Sequence, residues 1–282
     1  MLLTLSTCWY SIKSKFPSNQ YLLWIRNLLS IVNKFNLVIY SDAKSIKIIM
    51  PLLLQFKHIL NVKIKIIIKP IETFYGYKYK DNWINNHNSS NIKLHKKVDW
   101  ELIMLWCEKV HFVNETITNK YFDTMYYGWC DIGYFRNKPD NIHTHNLVNW
   151  PNLSKLFNTE LIHYGCIQNN PVIYKDLLDT ILDHYKTGNE LTNKENENCF
   201  AGGFFIIKPN KIQQFVNIFD DKLKYYFDNK YFIKDDQTIL MDCIFTNMEL
   251  FKLHFLDDER YDNWFMFQNH LNQTTFQKVV PN

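Results

Sequence analysis

Apolar positions along the chain fall into short continuous runs separated by stretches of helical spacing. Residues 2–10 (LLTLSTCWY) predict a first buried strand. In QYLLWIRNLLSIVNKF (20–35), Leu22, Ile25, Leu28 and Leu29 share one face of a helix. NLVIYSD (36–42) is a short β-branched run that predicts a second strand. A further helical stretch leads to VKIKIIIK (62–69), where Lys and Ile alternate at the start. Such alternation suits a strand with one wet face near the edge of a sheet. Strands alternating with helices predict the α/β class, with a mostly parallel central sheet covered on both faces.

Further along, Asn-rich NWINNHNSSN (82–91) predicts a loop, and a long helix is expected from about Asp99 to Val113, with Ile103, Trp106, Cys107 and Val110 on one face. TMYYGWCDIGYF (124–135) predicts the next strand, with Asp131 near its carboxyl end. Ligands of open α/β sheets bind outside the carboxyl ends of the strands, so this position already favours function. The second half is less periodic. It predicts a strand at 160–167, an amphipathic helix at 172–186, a polar loop at 188–198 and a strand at 200–209 opened by two glycines. A helix over about 210–228 precedes KDDQTILMDCIFTN (234–247), whose acidic residues stand where a helix would begin. No internal repeat or linker interrupts the pattern, so residues 1–282 are read as one domain.

Composition narrows the classes. With 46% hydrophobic residues the chain can bury a large core and lies outside the disordered class. A net charge of +4, spread without a basic cluster, argues against nucleic acid as a partner. The six cysteines include no C-x-x-C pair, which removes zinc-site spacing and favours reduced thiols in a cytoplasmic setting. No run reaches the ~18 apolar residues of a membrane span. The apolar N-terminus lacks the basic region and cleavage site of a signal peptide and reads as a buried strand.

Three features carry candidate chemistry. Asp131 places a carboxylate inside the aromatic run WCDIGYFR, which is costly unless it is paired. Gly202-Gly203 lets backbone approach another group closely, although a bulge or turn would use the same pair. Asp235-Asp236 stands at a helix start, where one serves as N-cap and the other, Asp236, is the freer to act as a base.

In their order along the chain, WELIMLWCEKVHFVNETI, YYGWCDIGYFR, FAGGFFIIKP and DDQTIL resemble the HtrL/WlaTC-type family of glycosyltransferases, known from bacterial polysaccharide loci and large DNA viruses. The opening TLSTCWYSIKSKF, YLLWIRNLLS and NLVIYSD resembles the family's first βαβ unit, so the likeness spans nearly the whole chain. It implies a GT-A-like, Rossmann-like fold with a nucleotide-binding half (1–135) and an acceptor and catalytic half (136–282). It also implies transfer from a UDP- or GDP-sugar to a glycan, by inversion, with Asp236 as base and Asp235 as its runner-up. Many such enzymes carry Asp-x-Asp on Mn²⁺ or Mg²⁺. Here the motif is Asp131-Ile132-Gly133, one carboxylate short, with His254 as a further candidate ligand.

On that reading Thr7, Trp9 and Asp42, at the ends of the first two strands, meet the nucleoside. Lys13, Lys15 and Arg136 meet phosphate. Glu101 and Lys109 align with polar positions of the family and, eight residues apart, would share a helix face. Gly133 closes the donor end, while Tyr134, Gly202, Gly203, Phe204 and Trp264 are candidates for the sugar and acceptor. Two other classes stay open: a nucleotide-sugar or glycan-binding protein without activity, suggested by the missing carboxylate, and a metal-dependent phosphohydrolase or nuclease.

Overall fold

Strand β1 (Leu3–Cys8) is buried at every position, as a central strand covered on both faces must be. Helix α1 (Ser18–Ser30) carries the chain to β2 (Asn36–Ser41), and α2 (Ser45–Leu53) carries it to β3 (Ile64–Ile68). The computed structural model describes residues 1–156, 160–168, 170–188, 199–256 and 258–272. The expected polar loop at 188–198 therefore lies, apart from Gly188, outside the described residues.

Four elements of the middle segment follow: α3 (Lys80–Asn88), α4 (Lys93–Lys97), α5 (Trp100–Cys107) and α6 (Lys109–Thr118). They lead into β4 (Tyr126–Cys130) and β5 (Ile162–Cys166). The rest comprises α7 (Pro171–Thr187), β6 (Phe200–Ile207), α8 (Ile212–Asp228), α9 (Asp236–Thr246), β7 (Phe251–His254) and α10 (Met266–His270).

Two expectations are corrected. The Asn-rich 82–91 segment is largely helical, because Trp83 is fully buried and Asn86 exchanges two hydrogen bonds with the backbone of Ile233. Tertiary anchoring overrides the weak helix propensity of asparagine. The single helix over 99–113 is instead α5 and α6, parted at Glu108. The Glu108 carboxylate is buried and accepts hydrogen bonds from the backbone N–H groups of Tyr75 and Gly76, at 2.7 and 3.1 Å. Glu101 and Lys109 therefore sit on different helices and do not share one continuous face.

The seven strands pair in the order β3-β2-β1-β4-β6-β5-β7. Neighbours from β3 to β4 are parallel, β6 runs against both β4 and β5, and β5 with β7 is parallel again. The wet-faced β3 lies at one edge, as its alternation predicts. Period-two alternation sorts each strand between two cores. Val38, Tyr40, Tyr127, Trp129, Phe205 and Ile207 face the layer containing α5, α6, α8 and α9. Leu37, Ile39, Tyr126, Phe204 and Ile206 face the layer of α1 and α2. Two polar positions of β1 are paired, Thr4 and Ser6 hydrogen-bonding Thr124 and Thr116 at 3.0 and 2.8 Å, whereas the buried Thr7 hydroxyl has no partner among the described residues. No described helix is long and apolar enough to cross a membrane.

The topology places the site. From β1 the chain steps outward to β2 and β3, then returns to place β4 on the other side of β1. The strand order thus reverses between β1 and β4, where their carboxyl ends diverge to leave a crevice. Antiparallel β6 brings its own N-terminal end to the same level, since Cys130 pairs with Phe204.

Candidate active site

A cavity of about 380 Å³ opens at that crevice. Its walls include Trp9 beyond β1, Trp106 of α5, Lys109 of α6, Asp131 to Tyr134 beyond β4, Gly202 and Gly203 of β6, and Asp235 to Gln237 at the start of α9. Lys15, Arg136, Lys138, Asp262, Trp264 and Phe265 line it as well.

Lys109 is the centre of the arrangement. Its ammonium donates to the Gly202 carbonyl and to Asp236 Oδ2, both at 2.8 Å, and lies 3.2 Å from Asp131 Oδ1. It is 6% exposed, so these two carboxylates are what make the buried charge tolerable. Burial pulls its pKa down, but Asp131 and Asp236 outweigh that and hold it above the ordinary lysine value. Asp131 is not the fully buried charge its aromatic run suggested: its side chain is 38% exposed at the cavity, and its Oδ1 also accepts from Trp129 Nε1 at 2.6 Å. Backbone pairing fixes its place, with Asp131 N–H donating to the Gly203 carbonyl at 2.8 Å.

The two glycines of β6 are explained by the same network. A Cβ on Gly202 would stand 2.6 Å from Asp236 Oδ2, and one on Gly203 would stand 3.3 Å from Asp131 Oδ2. Their bare backbone thus lets the chain's own carboxylates approach. Asp235 is the N-cap of α9, accepting from Gln237 N–H at 3.1 Å. Asp236 is not free, being ion-paired to Lys109. Burial raises its pKa to about 6, with Lys109 opposing the rise and the charges of Asp235 and Asp131 adding to it.

Cations and rings flank this core. Arg136 Nε donates to the Gly133 carbonyl at 2.8 Å, and its guanidinium lies over Trp24 at 4.4 Å, Phe265 at 5.0 Å and Phe16 at 5.4 Å. Lys15 stands over the Trp106 ring at 4.6 Å. Gly133 is where a second carboxylate would complete Asp-x-Asp. A Cβ there would meet Trp24 Cε3 at 2.7 Å, so the position is given over to packing against a buried indole.

Of the residues singled out in the sequence, the cavity gathers Trp9, Lys15, Lys109, Asp131, Gly133, Tyr134, Arg136, Gly202, Gly203, Asp235, Asp236 and Trp264. Thr7, Lys13, Asp42, Glu101, Phe204 and His254 are not among its lining residues. Thr7 is buried within β1, and Lys13 pairs with Asp99 at 3.2 Å. Asp42 accepts from the N–H groups of Lys44 and Ser45 at the start of α2. Phe204 is a core ring packed on Tyr134, Trp150 and Phe267 rather than a sugar platform. Tyr134 touches the cavity, but its hydroxyl accepts from Phe267 N–H and it is 1% exposed.

His254, at the end of β7, meets His163 Nδ1 through Nε2 at 2.8 Å, and its ring centroid lies 4.5 Å from that of His270. Among the described residues no group of three His, Cys, Asp or Glu side chains is arranged to hold a metal ion. Sequence reasoning missed Trp129 as the indole donor to Asp131, and Trp106, Lys138, Asp262 and Phe265 as lining residues. Only Trp129, two residues before Asp131 on the same face of a strand, left a signal that alternation could have revealed.

No protein-family model matches the sequence, and no curated protein matches it. Among solved structures the chain is similar to mouse xyloside xylosyltransferase 1 in its apo form. The identity is 14% and the TM-score 0.46, over 91% of this chain and 85% of that one.

Proposed function

We propose that the protein is a glycosyltransferase that moves a sugar from a nucleoside-diphosphate sugar to a hydroxyl of a glycan acceptor, with inversion. The observation carrying this reading is the Asp131–Lys109–Asp236 array at the β1–β4 switch point, where α/β sheets take nucleotide ligands. Cationic Lys15, Arg136 and Lys138 line the same cavity and suit a diphosphate, and Trp264, 36% exposed, suits the apolar face of a sugar.

Asp236 is the base. The acceptor hydroxyl attacks the anomeric carbon and forms the new C–O bond, while its proton passes to the Asp236 carboxylate. The bond from that carbon to the diphosphate breaks, and its electron pair leaves with the nucleoside diphosphate. A carboxyl raised to about 6 is well matched to this task near neutral pH, because it is still ionised yet more basic than an ordinary aspartate.

The test is a panel of UDP- and GDP-sugars, scored for thermal stabilisation and for release of nucleoside diphosphate. Stabilisation with slow donor hydrolysis is expected, and Asp236→Asn should retain binding while losing turnover by about 10²–10⁴-fold. Binding without turnover by the native protein would favour the inactive binding protein instead. No response to any nucleotide would refute both.

A further inference from the structure

We infer that the donor diphosphate is neutralised by side-chain cations, Arg136 and Lys15, and that Asp131 serves to position Lys109 rather than to bind a divalent metal. This rests on the proposed transferase reading and goes beyond it by fixing how the leaving group is recognised.

The residues present do not fit a divalent ion. A magnesium- or manganese-type site needs carboxylate oxygens free to coordinate and a surrounding field that welcomes two positive charges. Asp131 Oδ1 already faces the Lys109 ammonium at 3.2 Å and the Trp129 indole N–H at 2.6 Å. A dication on this carboxylate would sit beside the fixed positive charge of the Lys109 ammonium. The second oxygen set is missing for a packing reason, since Gly133 holds its place under Trp24. Asp236 Oδ2 is committed to Lys109, and His254 to His163.

The cations, in contrast, are in place. Arg136 uses Nε on the Gly133 carbonyl and is gripped by the rings of Trp24, Phe265 and Phe16, so its plane is set before any ligand arrives. Its terminal nitrogens are the pair that would bind a phosphate side by side. Lys15, over Trp106, supplies a second positive charge to the same cavity.

Isothermal titration of the full chain with UDP and with GDP, in EDTA and in Mn²⁺, tests this. The tighter nucleotide should bind with affinities within about two-fold in the two media, and Arg136→Ala should weaken it about ten-fold or more in both. Asp131→Asn should change affinity by the same factor with and without the ion. Titration with Mn²⁺ alone, followed by its electron paramagnetic resonance, should show no site that Asp131→Asn removes. The inference is overturned if Mn²⁺ tightens nucleotide binding ten-fold or more and Asp131→Asn abolishes that gain. Nucleotide binding that needs the metal would leave the transferase reading intact, whereas absence of binding in both media overturns the two together.

Discussion

At the β1–β4 end of the sheet, Lys109, Asp131 and Asp236 are packed together beside a cavity. At the β5–β7 edge, His163 and His254 are buried with His270 against them. Both clusters remove ionisable groups from water, by opposite means. The first keeps charges and pairs them, one ammonium against two carboxylates, while burial raises the pKa of Asp236. The second gives up charge: burial, then neighbouring His270, holds His163 and His254 neutral, at about 4 and about 3. A histidine among apolar residues and an aspartate among aromatic ones look alike as sequence signals. What separates them is whether a counter-charge was built alongside.

The largest perturbation that would break this contrast is Lys109→Met. It strands the buried Asp236 carboxylate and unpairs the partly exposed Asp131, and should lower stability by about 3–5 kcal/mol in urea unfolding, with loss of turnover. A cost below ~1 kcal/mol would show that the paired charges are not interdependent. Gly202→Ala comes next. Its Cβ would lie 2.6 Å from Asp236 Oδ2, and the overpacking should cost about 1–3 kcal/mol and displace Asp236. Activity at the level of the native protein would mean that β6 yields freely.

pH separates the clusters by sign. The His163 and His254 contribution is fully present above the unfolded histidine value near 6.5 and is lost progressively as pH falls from there through about 4 and about 3. Asp236 runs the other way, because its raised pKa makes ionisation cost stability as pH climbs from 3.8 through about 6. Unfolding midpoints for His254→Leu should therefore lose part of their acid dependence, while Asp236→Asn should steepen it. On the proposed transferase reading, kcat/KM of the native protein should rise through a limb near pH 6 as Asp236 ionises, and the same limb should be missing in Asp236→Asn.

The strands were legible because buried runs such as NLVIYS need no partner to declare themselves, and the wet alternation of β3 announced an edge. Asp131 and the glycines were legible as anomalies: a charge where apolar residues belong, and missing side chains in a strand. The role of Lys109 was not. Its partner Asp236 lies 127 residues away, and no spacing rule links positions that only the reversal of strand order and the antiparallel entry of β6 bring together. The helix over 80–88 was hidden for a similar reason, since it depends on Trp83 and Asn86 finding distant partners rather than on periodicity.

The break between α5 and α6 has a mechanical consequence. Glu108 and Lys109 are adjacent and oppositely charged, yet Glu108 fastens the backbone at Tyr75 and Gly76 while Lys109 fastens β6 and α9. The junction ties the half-buried segment at Tyr75 and Gly76 to the floor of the cavity. Lengthening or shortening the segment at residues 75–79 should shift this junction, and with it the ammonium that sets the spacing of the two carboxylates.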